Sequence, residues 1–115
     1  MKIKDIVKVL NANVLFADDA MMNTEVNSAC ASDMMSDVLA FVKDQAVLIT
    51  GLCNPQVIRT AVMMDMVCVV LVRGKEPDSV MLQLAEEKRI AILSSPLRMF
   101  AACGMLYEAG LKSEG

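Results

Sequence analysis

Residues 46–55 read Ala46-Val47-Leu48-Ile49-Thr50-Gly51-Leu52-Cys53-Asn54-Pro55, a short continuous apolar run, then a glycine turn, then a proline. The same grammar returns twice. Val67 to Val72 precedes Arg73-Gly74-Lys75-Glu76 and Pro77, and Ile90 to Leu93 precedes Ser94-Ser95 and Pro96. Apolar runs without polar alternation are strands buried on both faces. Proline is tolerated best in a first helical turn, where its missing N–H is not needed. The pattern therefore predicts helices opening at Pro55 (through about Met64), at Pro77 (through about Lys88) and at Pro96, with Gly110 capping the last. Asn54 and Ser95 are the N-cap candidates before two of them. Strands alternating with helices of this length imply right-handed parallel crossovers. The expected architecture is α/β, a single three-layer domain over residues 1–115 with a mostly parallel sheet flanked by helices.

Upstream, Ile3, Ile6, Val7 and Leu10 follow helical spacing, with Lys2, Lys4, Asp5 and Lys8 on the other face. Asn11 and Asn13 end that helix. Val14-Leu15-Phe16 reads as a short buried strand and Asp18-Asp19 as a turn, while Met21 to Thr24 carries no assignable pattern. Val26 to Ala31 reads as a strand, after which Ser32-Asp33 offers N-cap chemistry for a helix through about Val42, closed by Lys43-Asp44-Gln45. Its stripe is Met34, Met35, Val38, Leu39 and Val42, and the methionine pair reads as core filling. The polar tail Lys112-Ser113-Glu114-Gly115 is expected to fray.

Composition excludes several classes of function. The chain has 115 residues, 56% of them hydrophobic, and a formal net charge of −3. Roughly 45–50% is usual for soluble domains on a closely similar residue set, so disorder is ruled out and the surplus suggests apolar surface for a partner. There is no His, which removes Ser/His and Cys/His nucleophile pairs and His-ligated metal sites. Aromatics are 3% with no Trp, leaving no stacking platform for single-stranded nucleic acid, and the acidic balance argues against binding a nucleic acid polymer through its phosphates. No stretch approaches the roughly 18 apolar residues of a membrane span. The charged start, Met1-Lys2-Ile3-Lys4-Asp5, lacks a signal-peptide core, so no membrane association and a cytoplasmic location are expected.

The cysteines, Cys30, Cys53, Cys68 and Cys103, form no Cys-x-x-Cys pair. Neither a disulfide framework nor a cluster site is expected, and Cys30, Cys68 and Cys103 read as small buried hydrophobes. Cys53 differs because it lies at a predicted helix start, where a thiol can gain reactivity. A passive role is favoured for it.

In a parallel sheet the strand-to-helix loops share one edge, where ligands generally bind. Thr50, Gly51, Asn54, Arg73, Gly74, Lys75, Ser94 and Ser95 are therefore the candidate ligand-binding residues. Helix N-termini supply free N–H groups and partial positive charge there, Arg73 and Lys75 add full charges, and the glycines admit a ligand to the backbone. This suits a small anionic ligand or a nucleotide. The competing reading is that the glycines serve tight turns and the two cations are solvated. Gly74-Lys75 is not a P-loop, because the earlier glycine and the following Ser or Thr are missing. Asp18-Asp19 and Glu86-Glu87 read as a turn and a solvated face, and nothing marks a paired acid and base. Arg59 either salt-bridges or reaches the loop edge. No catalytic residue, metal site or cofactor is called for.

Three phrases, Ala31-Ser32-Asp33-Met34-Met35-Ser36-Asp37-Val38-Leu39, Leu48-Ile49-Thr50-Gly51 and Val70-Leu71-Val72-Arg73-Gly74, resemble the DRTGG domain family, and the similarity spans most of the chain. That family is related to the N-terminal domain of bacterial HPr kinase/phosphorylase and occurs as an inserted module in some CBS-domain pyrophosphatases and phosphotransacetylases. Stand-alone versions accompany iron-only hydrogenase genes. The resemblance implies an α/β regulatory or dimerisation module without catalysis. It implies no kinase activity, since the kinase's phosphate-binding domain has no counterpart here. Two departures stand out: Leu52-Cys53-Asn54-Pro55 replaces the family's Asp-Arg, and Arg73-Gly74-Lys75 replaces its Thr-Gly-Gly.

Three functions are thus expected in order of preference. The first is a non-enzymatic regulatory module, a homodimer that senses a small ligand. The second is a small-molecule enzyme using Arg73, Lys75, Thr50 and Ser95 around an anionic substrate. The third is a redox or cluster accessory built on Cys53.

Overall fold

The computed structural model describes residues 1–40 and 44–113. In chain order the elements are α1 (Ile3–Val9), β1 (Asn13–Phe16), α2 (Asp19–Met22), β2 (Ser28–Ala31), α3 (Met35–Val38), β3 (Ala46–Thr50), α4 (Pro55–Met63), β4 (Met66–Leu71), α5 (Ser79–Lys88), β5 (Ala91–Ser94) and α6 (Met99–Glu108). The strands form a five-stranded sheet in the order β1-β5-β4-β3-β2. β2, β3, β4 and β5 are mutually parallel, and β1 lies antiparallel against β5.

Because β2 to β5 are neighbours in chain order, crossovers of one hand place every connecting helix on the same face. Val38 of α3, Val57, Ile58 and Ala61 of α4, and Met81 and Ala85 of α5 pack there against Leu48, Val69, Leu71 and Ile92. The other face is covered by Ile3, Ile6 and Leu10, Met21 of α2, and Ala102 and Leu106 of α6, packed on Val47, Ile49, Val70 and Leu93. β3, β4 and β5 are therefore buried on both sides, as their unbroken apolar runs require. A bulge opposite Ala46–Val47 inserts Val67 into β4. It sends Met66 and Cys68 into opposite core layers although they are two apart in sequence.

Several expectations need correction. β1 is an edge strand with Val14 41% exposed, since only β5 flanks it. Asp18 is not a simple turn residue: its carboxylate caps α2 by accepting the Met21 N–H at 2.8 Å. The predicted long helix after β2 is a single turn, Met35–Val38. Ser32 and Asp33 do not cap it, because the Ser32 hydroxyl takes the Met34 N–H and Asp33 points to the next loop. Val42, Lys43, Glu114 and Gly115, on which parts of those expectations rest, lie outside the described residues.

Pro55 opens α4 at its first turn, with Asn54 Oδ1 accepting the Gln56 N–H at 2.9 Å. Pro77 and Pro96 instead precede their helices. Asp78 caps α5 by accepting the Met81 N–H at 2.8 Å, and α6 begins after Arg98. Gly110 follows α6 with φ of 110°, a conformation a side chain would strain, as expected of a helix-ending glycine.

Candidate functional site

The C-terminal edge of the four parallel strands gathers Ser32-Asp33, Thr50-Gly51, Arg73-Gly74-Lys75 and Ser94-Ser95, so the predicted loops do share one rim. Backbone hydrogen bonds tie them together. Arg73 N–H donates to Leu97 O at 2.7 Å and Gly74 N–H to Ser95 O at 2.8 Å. The Lys75 N–H reaches Val72 O, closing a turn whose central residues, Arg73 and Gly74, have φ of 60° and 65°. Two consecutive positive φ values are the requirement of a type I′ turn, which glycine meets without cost and arginine does not.

Asp33 organises the neighbouring loop. Its Oδ1 accepts the Gly51 N–H at 2.6 Å and the Thr50 hydroxyl at 3.2 Å, and the Thr50 oxygen accepts the Leu52 N–H. A Cβ on Gly51 would collide with the Arg73 guanidinium and lie 3.3 Å from Asp33 Oδ1. The β4 loop thus lays its cation across the β3 loop, beside the carboxylate delivered by β2.

The eight predicted residues consequently separate into two groups. Thr50, Ser94 and Ser95 are buried. Ser94 donates to Lys75 O at 2.9 Å, while Ser95 donates to Leu10 O at 2.7 Å and accepts the Leu97 N–H. Ser95 is therefore a loop strut rather than the N-cap expected of it, and these hydroxyls hold the rim from beneath. Arg73, Gly74 and Lys75 are exposed, Asn54 is half-buried in its capping role, and Gly51 is buried beneath Arg73. Asp33, exposed on this rim, is the residue the site prediction missed. The signal was its place immediately after β2, equivalent to Thr50-Gly51 after β3.

Cys53 lies half-buried beside the same cations. Burial pushes its thiol above the ordinary 9.0, outweighing the lowering effect of the Lys75 and Arg73 charges, and Asp78 adds to the rise. It is a protonated thiol at neutral pH, contrary to what a reactive thiolate needs. Cys68 is buried, as read from sequence, but Cys30 and Cys103 are only half-buried. They line a cleft of about 180 Å³ between β2 and α6 together with Leu106, Tyr107 and Leu111. A wider cavity of about 600 Å³ lies elsewhere, among Asp5, Glu25, Asn27 and Gly110. Arg59 lines a third, with Gln83 and Glu87 of α5, rather than joining the rim. Among the described residues no group of three or more His, Cys, Asp or Glu could hold a metal ion, and no helix is long and apolar enough to cross a membrane.

A three-layer α/β domain with a cationic turn on the strand-end rim defines the class. The DRTGG domain model matches residues 5–109, and the chain belongs to that family. A solved structure of the CBS and DRTGG domains of the regulatory region of Clostridium perfringens pyrophosphatase, complexed with the activator diadenosine tetraphosphate, is similar in fold, with a TM-score of 0.73 over 91% of this chain at 14% identity. The match takes up 45% of that structure's chain, so this chain spans less than half its length. No curated protein matches the chain.

Proposed function

We propose that this chain is a non-catalytic regulatory module, one DRTGG-type domain over residues 1–115, which binds a small anionic or nucleotide ligand at its rim and acts as a homodimer. The observation that carries this reading is the exposed Arg73-Gly74-Lys75 turn beside the start of α4. Two exposed cations, Arg73 with the Asp33 carboxylate at its side, stand next to a helix terminus of the same electrostatic sign, with the Gly74 backbone open to approach. The pyrophosphatase regulatory region of like fold binds a dinucleoside polyphosphate, whose chemistry such a rim suits. An enzyme at the same edge is disfavoured because Thr50 and Ser95, its hydroxyl candidates, are buried and hydrogen-bonded within the loops. A redox role for Cys53 is disfavoured by its raised pKa.

Thermal denaturation against diadenosine tetraphosphate, ADP, ATP and inorganic phosphate tests the ligand. A ligand at about 100 times its Kd adds about 2.7 kcal/mol of stability. The wild type is expected to respond to at least one nucleotide and the Arg73→Ala/Lys75→Ala variant to none. A flat wild-type response, or an equal response in both proteins, overturns the rim assignment.

A further inference from the structure

α6 is apolar on both sides. Ala102 and Leu106 face the core, yet the opposite side presents Phe100, Ala101, Gly104 and Met105, with Phe100 92% exposed and Met105 39%. A helix of this kind belongs in a core or an interface. The outer residues are arranged large-small, then small-large, about a midpoint between Ala102 and Cys103. A two-fold axis through that point pairs Phe100 with Met105 of a second copy and Ala101 with Gly104. A Cβ on Gly104 would meet nothing within 4 Å, so the small pair leaves room for two helices to approach closely, with the large side chains closing over the ends.

The charges fit the same operation. Exposed Arg98 sits at the N-terminal end of α6 and exposed Glu108 at its C-terminal end, each the wrong sign for its own helix dipole. Antiparallel pairing moves each to the end of the neighbouring helix where its sign is favourable, and brings Arg98 toward Glu108 of the second copy. We infer that the outer face of α6 is a homodimer interface in which two α6 helices pack antiparallel about the Ala101–Gly104 contact. This rests on the homodimeric part of the reading above and supplies its surface, against the exposed apolar side chains Val62 and Met63 of α4 and Val80 of α5 on the opposite layer.

Sedimentation equilibrium over a range of concentrations, with circular dichroism as the folding control, decides it. Phe100→Glu is expected to raise the dimer Kd by at least about 30-fold, as loss of an interface anchor does, while Met63→Glu leaves it unchanged. Arg98→Glu should weaken the dimer by roughly a few-fold, and adding Glu108→Arg should restore it. A wild-type dimer that Phe100→Glu leaves intact, or that only Met63→Glu breaks, overturns the α6 interface and leaves dimerisation standing. Failure of the double charge reversal to restore affinity overturns the antiparallel pairing. A wild type that stays monomeric at high micromolar concentration overturns the homodimer reading itself.

Discussion

The guanidinium of Arg73 occupies the space beside the Gly51 Cα where any other residue would carry its Cβ. One glycine thereby controls the position of the rim's main cation. Gly51→Ala must displace Arg73, and because the displaced atoms end a flexible side chain, the fold should lose less than about 1 kcal/mol. The nucleotide-dependent rise in melting temperature should fall nearly as far as in Arg73→Ala. In the Arg73→Ala background, Gly51→Ala should leave the nucleotide response unchanged, the new methyl then meeting only Asp33 Oδ1 at 3.3 Å. Independent, additive effects of the two substitutions would show that the residues do not act together.

Asp33 holds the loop against which Arg73 lies. Its carboxylate accepts the Gly51 N–H and the Thr50 hydroxyl, and hydrogen bonds to a charged acceptor are stronger than neutral ones. Since Asp33 is exposed, water replaces part of what is lost on truncation. Asp33→Ala should therefore destabilise by roughly 1–2 kcal/mol in urea denaturation, toward the low end of what such bonds provide. Asp33→Asn, which keeps one acceptor oxygen, should lose less. Equal losses would mean that charge rather than geometry carries the effect.

How much of this was legible in the sequence depends on what decides each feature. Buried runs such as Val67 to Val72 announce strands because both faces demand apolar side chains, and Pro55 announces a helix because Asn54 caps it. Pro77 and Pro96 gave the same local signal and misled. Which residue caps a helix depends on side chains nearby in space, and Asp78 supplies the α5 cap while Ser95 is drawn away to Leu10, a partner remote in sequence. The single turn of α3 was hidden for the same reason, since Asp33 is used by β3's loop. The shared rim followed from parallel topology alone. Which rim residues face outward did not, because Ser94 and Lys75 look equally polar as letters and only packing separates them.

Ser95 gives the sharpest separation between a strut and a reactive group. Its buried hydroxyl both donates to Leu10 O and accepts from the Leu97 N–H, linking the end of α1 to the approach to α6. Ser95→Ala leaves the Leu10 carbonyl, in a buried bond, and the part-buried Leu97 N–H short of a partner, at a cost of roughly 1–3 kcal/mol. Guanidinium chloride unfolding should report that loss with an unchanged m-value. Binding of a rim ligand should survive below the new transition, and its disappearance in a folded Ser95→Ala protein would assign the serine a direct contact.

Acid stability carries a signature of the Asp18–Arg89 pair. The Arg89 guanidinium, helped by the Met21 N–H, holds the Asp18 carboxyl below its ordinary 3.8. The folded protein thus releases that proton more readily than the unfolded chain. The contribution is complete above pH 3.8 and disappears as pH falls through the lower folded value. Arg89→Gln should flatten the acid limb of the stability profile and lower the plateau above pH 3.8 slightly, the two profiles converging as pH falls below that window. Because both side chains are exposed, 1 M salt should shrink the difference between the two proteins. A salt-insensitive difference would place its origin elsewhere.

Thiol chemistry provides a test that does not depend on any ligand. Burial raises Cys53 while Lys75 and Arg73 pull it down, so the thiol remains protonated between pH 7 and 8 although it stands beside two cations. Iodoacetamide should modify it more slowly than an unstructured cysteine peptide, with the rate still climbing rather than levelling off as pH passes the ordinary 9.0. Removing the cations in Arg73→Ala/Lys75→Ala should slow the reaction further, whereas Asp78→Asn should quicken it. Cys68, buried in the sheet with its thiol raised by desolvation, should label only after unfolding by denaturant. Peptide mapping by mass spectrometry resolves the two sites. Rapid modification of Cys53 at neutral pH would reinstate it as a reactive residue of the rim.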